Sequence, residues 1–460
     1  MPADAARQAF HCEYAWLGGD SATSDVRIDV TDGIITAVTP GAQPDRIVTP
    51  VPGLTLPGLA NTHSHVFHRA IRGHTQSGVA DFWRWRDLMY RVAGRLDPDR
   101  LYRLALATYA EMALAGIASV GEFFYLHHQP DGSRYDDPNE MGRAVIRAAT
   151  DAGLRITLLD TCYLQAGLDG APLTGAQLRF GDASAEAWAQ RVDALADTQV
   201  RRPDRPEAGW RVGAAIHSVR AVPRHALAPI ADYARSHGMP LHAHVSEQPA
   251  ENRACLDAHG LTPVGLLAAE GVLGPASTAV HATHLRDDDI ATLGRSRTAI
   301  SMCCTTERDL ADGVGPAVRL AAAGAPLCVG SDGHMVIDLW EEGRAIELDE
   351  RLVSGTRGHL SVGAIARAIS VDGAAAIGWP TAGIAPGAPA DLVTVRLDSV
   401  RTAGARSGDV LAHALFSATA SDVTGLIVAG RTVVRDGRHL AVTDPGSALQ
   451  DAIADALGDG

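Results

Sequence analysis

Eight short β-rich runs punctuate the middle of the chain, and each is followed by a longer segment of helical texture. The runs are "LTLPGLANTHSH", "IASVGEFFY", "RITLLDTCY", "RVGAAIHSVR", "PLHAHVSE", "TAVHATH", "TAISMCCTTE" and "PLCVGSD"; "PDRLYRLALATYAEMALAG" is typical of what lies between them. Strand formers followed by apolar residues of helical period mark a β/α unit. Eight such units predict a closed (β/α)8 barrel, an α/β fold of the TIM type. Nearly every run turns polar at its C-terminal end: His63 and His65, Glu122 and Tyr125, His217 and Arg220, His244 and Glu247, His281, Thr305 and Glu307, and Asp332. A barrel gathers these ends on one face, where barrel enzymes carry their active sites.

The two ends of the chain have a different texture. "CEYAWL", "DVRIDVTDGIITAVTP" and "RIVTP" read as early strands, with Asp32-Gly33 as a hairpin turn. "PADLVTVRLDS" and "VTGLIVAGRTVVRDGR" read as late strands, and "GSALQDAIADALG" as a closing helix. A chain of 460 residues exceeds one small core. The expected division is a barrel over residues 58–380 and a small β-sandwich domain built from residues 1–57 and 381–460. "QPDGSRYDDPNE" and "DTQVRRPDRPEAG" read as surface loops.

Composition contributes by exclusion. A net charge of -14 argues against binding nucleic acid or an anionic membrane, but not against a small anion held by a few arginines. The sequence contains no lysine. That excludes a lysine Schiff base, a P-loop lysine and a carbamylated lysine bridging two metals. The six cysteines form no CxxC pair and read as free thiols of a reducing compartment. No apolar run is long enough to span a membrane, and "MPADAARQAF" lacks the basic head and apolar core of a signal peptide. A cytoplasmic location is expected.

His63 and His65 stand at i, i+2, so on a strand both point to the same side and can chelate one ion. His244, His281 and Asp332 end later runs. Three imidazoles and a carboxylate suit one zinc or ferrous ion with a further position open. His242 falls one layer deeper than His244 and is expected to pack in the core. Glu247, three residues past His244, is placed to move protons beside the ion. Two nucleophile readings compete, Cys303-Cys304 and Ser331 near His334, but neither has its own base and orienting group.

"NTHSH", "HVSEQ", "HATH" and "SDGH" on eight β/α units resemble the amidohydrolase superfamily, in its mononuclear deaminase branch. "FWRWRDLMYR", "GEFFYLHH", "HSVRAV", "TTERDLADG" and "IDLWEEGRAIELDERL" are similar to the N-formimino-L-glutamate deiminases of that superfamily, and the resemblance spans nearly the whole chain. It implies one divalent ion held by His63, His65, His244 and Asp332, zinc before iron. It implies that Glu247 shuttles protons, with Asp332 taking the water's proton and His281 steadying the intermediate. Arg86, Tyr125, His217 and Arg220 match positions that hold the substrate's carboxylates, and His68 falls where some relatives carry a substrate-contacting glutamine. The expected substrate is a small dicarboxylate and the expected assembly a homodimer. Phe124, Cys304 and Gly333 stand where the family more often has histidine, proline and serine, which bears on the shape of the pocket. Two rivals stand beside this reading: a deaminase of a guanine- or pterin-type base, and a metal-free scaffold.

Overall fold

The computed structural model describes residues 7–45, 48–76, 82–200 and 209–458. Residues 1–6, Arg46 and Ile47 of "RIVTP", and residues 201–208 of the second proposed loop lie outside the described residues.

All eight β/α units form. The barrel strands are Leu59–Ser64, Ile117–Phe124, Arg155–Cys162, Trp210–Ile216, Leu241–Val245, Ser277–His281, Ala299–Met302 and Leu327–Val329. They pair in parallel in chain order. Ile117–Phe124 is buried at every position, as a parallel strand covered on both faces should be. The ring closes between the first and last strands. Ser64 bridges to Asp332, the Asp332 N–H donates to the His63 carbonyl (3.0 Å), and the His65 N–H donates to the Asp332 carbonyl (3.2 Å). Gly330 permits this approach, since a Cβ there would lie 2.6 Å from the His63 Cβ.

Strands from both termini share a second, eight-stranded sheet. Its order is Arg438–His439, Arg431–Arg435, Val423–Val428, Leu392–Val395, Thr49–Pro57, Arg7–Ala15, Thr23–Thr31 and Ile34–Thr39. The antiparallel pairing of Thr49–Pro57 with Leu392–Val395 joins the two ends of the chain. Val26, Ile28, Ile35, Ile384 and Leu392 give this sheet its own core. Asp32 and Gly33 turn the hairpin at φ +50° and +79°.

Two local expectations are corrected. The run "LTLPGLANTHSH" is not one strand. It divides at Gly58, with Thr49–Pro57 in the terminal sheet and Leu59–Ser64 in the barrel. Gly58 packs so closely on Ala118 that a Cβ there would lie 2.4 Å from the alanine's Cβ. Residues 197–200 of "DTQVRRPDRPEAG" are not loop but the last turn of helix Ala185–Val200, anchored by buried Val192 and Leu195.

The floor of the barrel is clasped to the terminal sheet. Arg155 pairs with Asp391 at 2.9 Å, and the guanidiniums of Arg155 and Arg211 stack on Trp379 at 4.9 and 3.9 Å. The closing helix Pro445–Leu457 docks on helix Pro98–Leu114, with Arg100 pairing to Asp455 at 3.0 Å. Among the described residues no helix is long and apolar enough to cross a membrane.

Candidate active site

The rim opposite that floor is crowded with imidazoles. His63 is the last residue but one of the first barrel strand, His65 follows that strand directly, and His244 lies in the fifth strand; all three are buried. Their Nε2 atoms converge: His244 to His63 is 3.1 Å and His244 to His65 is 3.4 Å. Asp332 Oδ1 lies 3.3 Å from His63 Nε2 and 3.4 Å from His65 Nε2. Four donors around a tetrahedral ion with bonds near 2.05 Å would stand about 3.3 Å apart. The observed separations, 3.1–3.4 Å, are close to that edge length.

Tautomers support the same reading. His65 Nδ1 donates to the Phe123 carbonyl (2.9 Å) and His244 Nδ1 to the His217 carbonyl (2.8 Å). Each ring therefore turns an Nε2 lone pair toward the centre, as metal-binding histidines do. Burial holds all three imidazoles below their ordinary pKa, His63 down to about 3. Burial alone would raise Asp332, but His63 and its neighbours hold this carboxylate well below the usual range. Neutral imidazole lone pairs facing one carboxylate repel one another unless a cation joins them, so the donor set fits a divalent ion.

His281 ends the sixth strand. Its Nε2 is 4.0 Å from Asp332 Oδ2 and 4.0 Å from Glu247 Oε1, and its Nδ1 is 3.3 Å from Glu307 Oε1. Burial opposes a charge on this ring, but Glu247, Glu307 and Asp332 outweigh it and raise its pKa to about 10. Glu307 is itself fixed by the Cys303 N–H (2.9 Å). The backbone here is strained: Ser246, His281, Ala282, Asp332 and His334 all have φ between +40° and +66°. Non-glycine residues tolerate that region only where packing over-determines it, and it re-aims side chains at functional sites. Behind the rim, buried Glu122 accepts from Ser64 Oγ, the Val66 N–H and Tyr109 Oη, pinning the turn that carries His65 and His68.

A cavity of about 140 Å³ opens on this centre, lined by His65, His68, Arg86, Tyr125, His217, Arg220, Glu247, His281 and Asp332. His68 Nε2 lies 3.2 Å from Tyr125 Oη. His217 packs on Tyr163 with ring centroids 4.5 Å apart, and Arg86 lies over Tyr90 at 5.6 Å. Every residue expected at the site, His63 included beneath the cavity, is thus at one rim. Trp85, Tyr90, Tyr163 and Gln177 also line the cavity and were not anticipated. Tyr163 closes the run "RITLLDTCY" and could have been found by the polar-end rule. Tyr90 stands i, i+4 from Arg86 on helix Phe82–Arg95, a weaker signal. Gln177 lies in a short turn, Gly175–Arg179, with no sequence signal.

The competing nucleophiles lose ground. Cys303 and Cys304 are buried, and burial pushes both thiols well above their usual range. Ser331 does meet His334, Oγ to Nδ1 at 2.9 Å, but both are fully buried, Ser331 Oγ also accepts from Asn61 Nδ2 at 2.7 Å, and neither lines the cavity. His242 donates to the Ala376 carbonyl in the core, as expected.

A sequence model described as the amidohydrolase family matches residues 54–433. The chain is 35% identical over 427 residues to a formimidoylglutamate deiminase of Pseudomonas aeruginosa, covering 90% of this chain and 92% of that one. It is 28% identical over 409 residues to an 8-oxoguanine deaminase of the same organism, covering 84% and 83%. The crystal structure of an amidohydrolase from Brucella melitensis superposes with a TM-score of 0.89 at 30% identity, covering 98% of this chain and all of that one.

Proposed function

Because this chain belongs to the amidohydrolase family and is a hydrolase of C–N bonds, we propose that it converts N-formimino-L-glutamate and water to N-formyl-L-glutamate and ammonia, a step of histidine degradation. The observation that carries this reading is the pairing of two guanidiniums, Arg86 and Arg220, with a metal-competent centre on one small cavity. A linear substrate with two carboxylates and one amidine carbon has three groups to place. Fixed guanidinium forks suit carboxylates, and Tyr125, His217 and His68 add neutral hydrogen bonds.

His63, His65, His244 and Asp332 would hold the ion, zinc in this reading, and when bound it supplies the Lewis acidity that makes water a nucleophile at neutral pH. The protein's own groups then manage the protons. As water adds to the amidine carbon, Asp332 and Glu247 are placed to accept its proton. Glu247 passes a proton to the imino nitrogen, and the tetrahedral adduct expels ammonia. His281, protonated at Nε2 and backed by Glu307, donates to the oxygen on which charge develops.

Ammonia release from formiminoglutamate, compared with guanine, 8-oxoguanine and formiminoaspartate, tests the reading. Turnover of formiminoglutamate well above the others is expected. Turnover of a purine base alone would transfer the site to the reading suggested by the 8-oxoguanine relative. Metal analysis should find one ion per chain, lost in Asp332→Ala; a chain that binds none would be a scaffold.

A further inference from the structure

Glu251 is a buried carboxylate at the rim that no step above uses. It sits in the first turn of helix Pro249–His259, 3% exposed, and neither of its oxygens has a hydrogen-bond partner. Its Oε2 lies 3.8 Å from Arg220 Nε, and Glu247 Oε2 lies 3.8 Å from Arg220 Nη2. Arg220 Nε is buried and has no hydrogen-bond partner either. One guanidinium thus hangs between two carboxylates, at ion-pair distance from both and hydrogen-bonded to neither. Charge-assisted pairs free to close do so at about 2.7–2.9 Å. Burial raises Glu251 to about 6 against the pull of Arg220, so near neutral pH it is mostly ionised and shares the one guanidinium with Glu247.

We propose that Glu251 is a positioning residue that holds Arg220 off the Glu247 carboxylate, so that a substrate carboxylate arriving at Arg220 takes up the guanidinium and leaves Glu247 unpaired to carry protons. The proposal rests on the formiminoglutamate reading. A guanidinium closed on Glu247 would occupy the carboxylate oxygen that has to receive and pass on the proton. A substrate carboxylate that neutralises the guanidinium lifts this restraint. Glu251 anchors the Nε side, which leaves the outer N–H edge for the ligand. Without Glu251, Glu247 is the only carboxylate among the described residues within 4 Å of Arg220, and the pair closes. Closure costs the clamp and the proton carrier together. Recognition and chemistry are therefore coupled through one side chain, and a ligand lacking that carboxylate is penalised in kcat as well as KM.

The test is a double-mutant cycle on metal-loaded enzyme with formiminoglutamate. Glu251→Gln should lower kcat/KM by about ten- to a hundredfold, through both kcat and KM, the scale of a lost charge-assisted contact. Glu251→Asp should recover part of that loss. In the Arg220→Met background the same substitution should change kcat/KM by less than about twofold, because Glu251 acts only through Arg220. Unaltered melting or a higher melting temperature for Glu251→Gln would confirm that the fold is intact. An active parent with Glu251→Gln unimpaired, or equally impaired with and without Arg220, would overturn the positioning role alone. A parent inert toward formiminoglutamate would overturn the substrate reading and the proposal with it.

Discussion

Two arginines in this protein, Arg191 buried and Arg220 partly exposed, each stand between two carboxylates, and they are held very differently. Arg191, on helix Ala185–Val200 outside the third barrel strand, reaches Asp160 at 2.7 and 2.8 Å and Asp182 at 2.8 Å. Trp188 Nε1 adds a hydrogen bond to Asp160 at 3.0 Å. Arg220, at the rim of the candidate site, stands 3.8 Å from both Glu247 and Glu251. The first cluster has spent its donors on the fold. The second is held open and, in the proposed reading, keeps them for a ligand. A buried ion cluster stabilises a fold only when its geometry is closed, so the open one adds little to stability and, in the proposed reading, serves a ligand instead.

That contrast can be broken or sharpened by substitution, and the largest effect is expected at the open cluster. Glu247→Gln keeps shape and metal but cannot move a proton, and ammonia release should fall by about a hundred- to ten-thousandfold with unchanged melting. A loss under about tenfold would shift the proton work to another group, His281 first.

The closed cluster should answer in stability instead. Arg191→Met leaves Asp160 and Asp182 buried without their cation and should cost about 3–5 kcal/mol in urea unfolding, with activity per folded molecule unchanged. Burial alone would raise Asp182, but His128 and Arg191 hold it well below the usual carboxylate range. A depressed carboxyl contributes stability above its unfolded pKa of about 3.9 and loses it as pH falls toward the folded value. The parent should therefore unfold steeply in acid below about pH 4, and Arg191→Met should flatten that limb.

Arg220→Met and, separately, Arg86→Met should raise KM or lower kcat/KM by roughly 2–4 kcal/mol of transition-state binding, with metal content unchanged. If both variants turned over formiminoglutamate like the parent, the dicarboxylate reading would fail.

The smallest effect is a gain. Glu251 is raised from 4.5 to about 6, so between those values the folded carboxyl keeps a proton that the unfolded one has released. The parent should lose stability as pH rises through that window, by at most about 2 kcal/mol, and Glu251→Gln should not. Melting temperatures of the two proteins across pH 4 to 8 (about 4.5 to 6 being the informative span) measure it directly. A variant less stable than its parent above pH 6 would show that Glu251, like Asp182, belongs to a closed cluster after all.

Much of this was legible along the chain. The eight β/α units, the terminal strands and the gathering of His63, His65, His244, His281 and Asp332 on one face follow from periodicities of 2 and 3.6 residues and from parallel pairing, which are local regularities. Even Tyr163 stands just past a strand end, where the pattern of polar strand ends gathers the other site residues. The division of "LTLPGLANTHSH" at Gly58 was not legible, because both halves have the same strand texture and only the packing against Ala118 separates them. Nor was the closure that seats Asp332 between His63 and His65, since it pairs residues some 270 positions apart in sequence. Least legible was the difference between Arg191 and Arg220. On paper each is an arginine with two carboxylates within reach of a barrel strand. What separates them is an ångström, 2.8 against 3.8, set by where two helices dock on the barrel. Hydrogen bonding fails over that interval while charge attraction persists, so tertiary packing alone decided which cation closes on its carboxylates and which stays open.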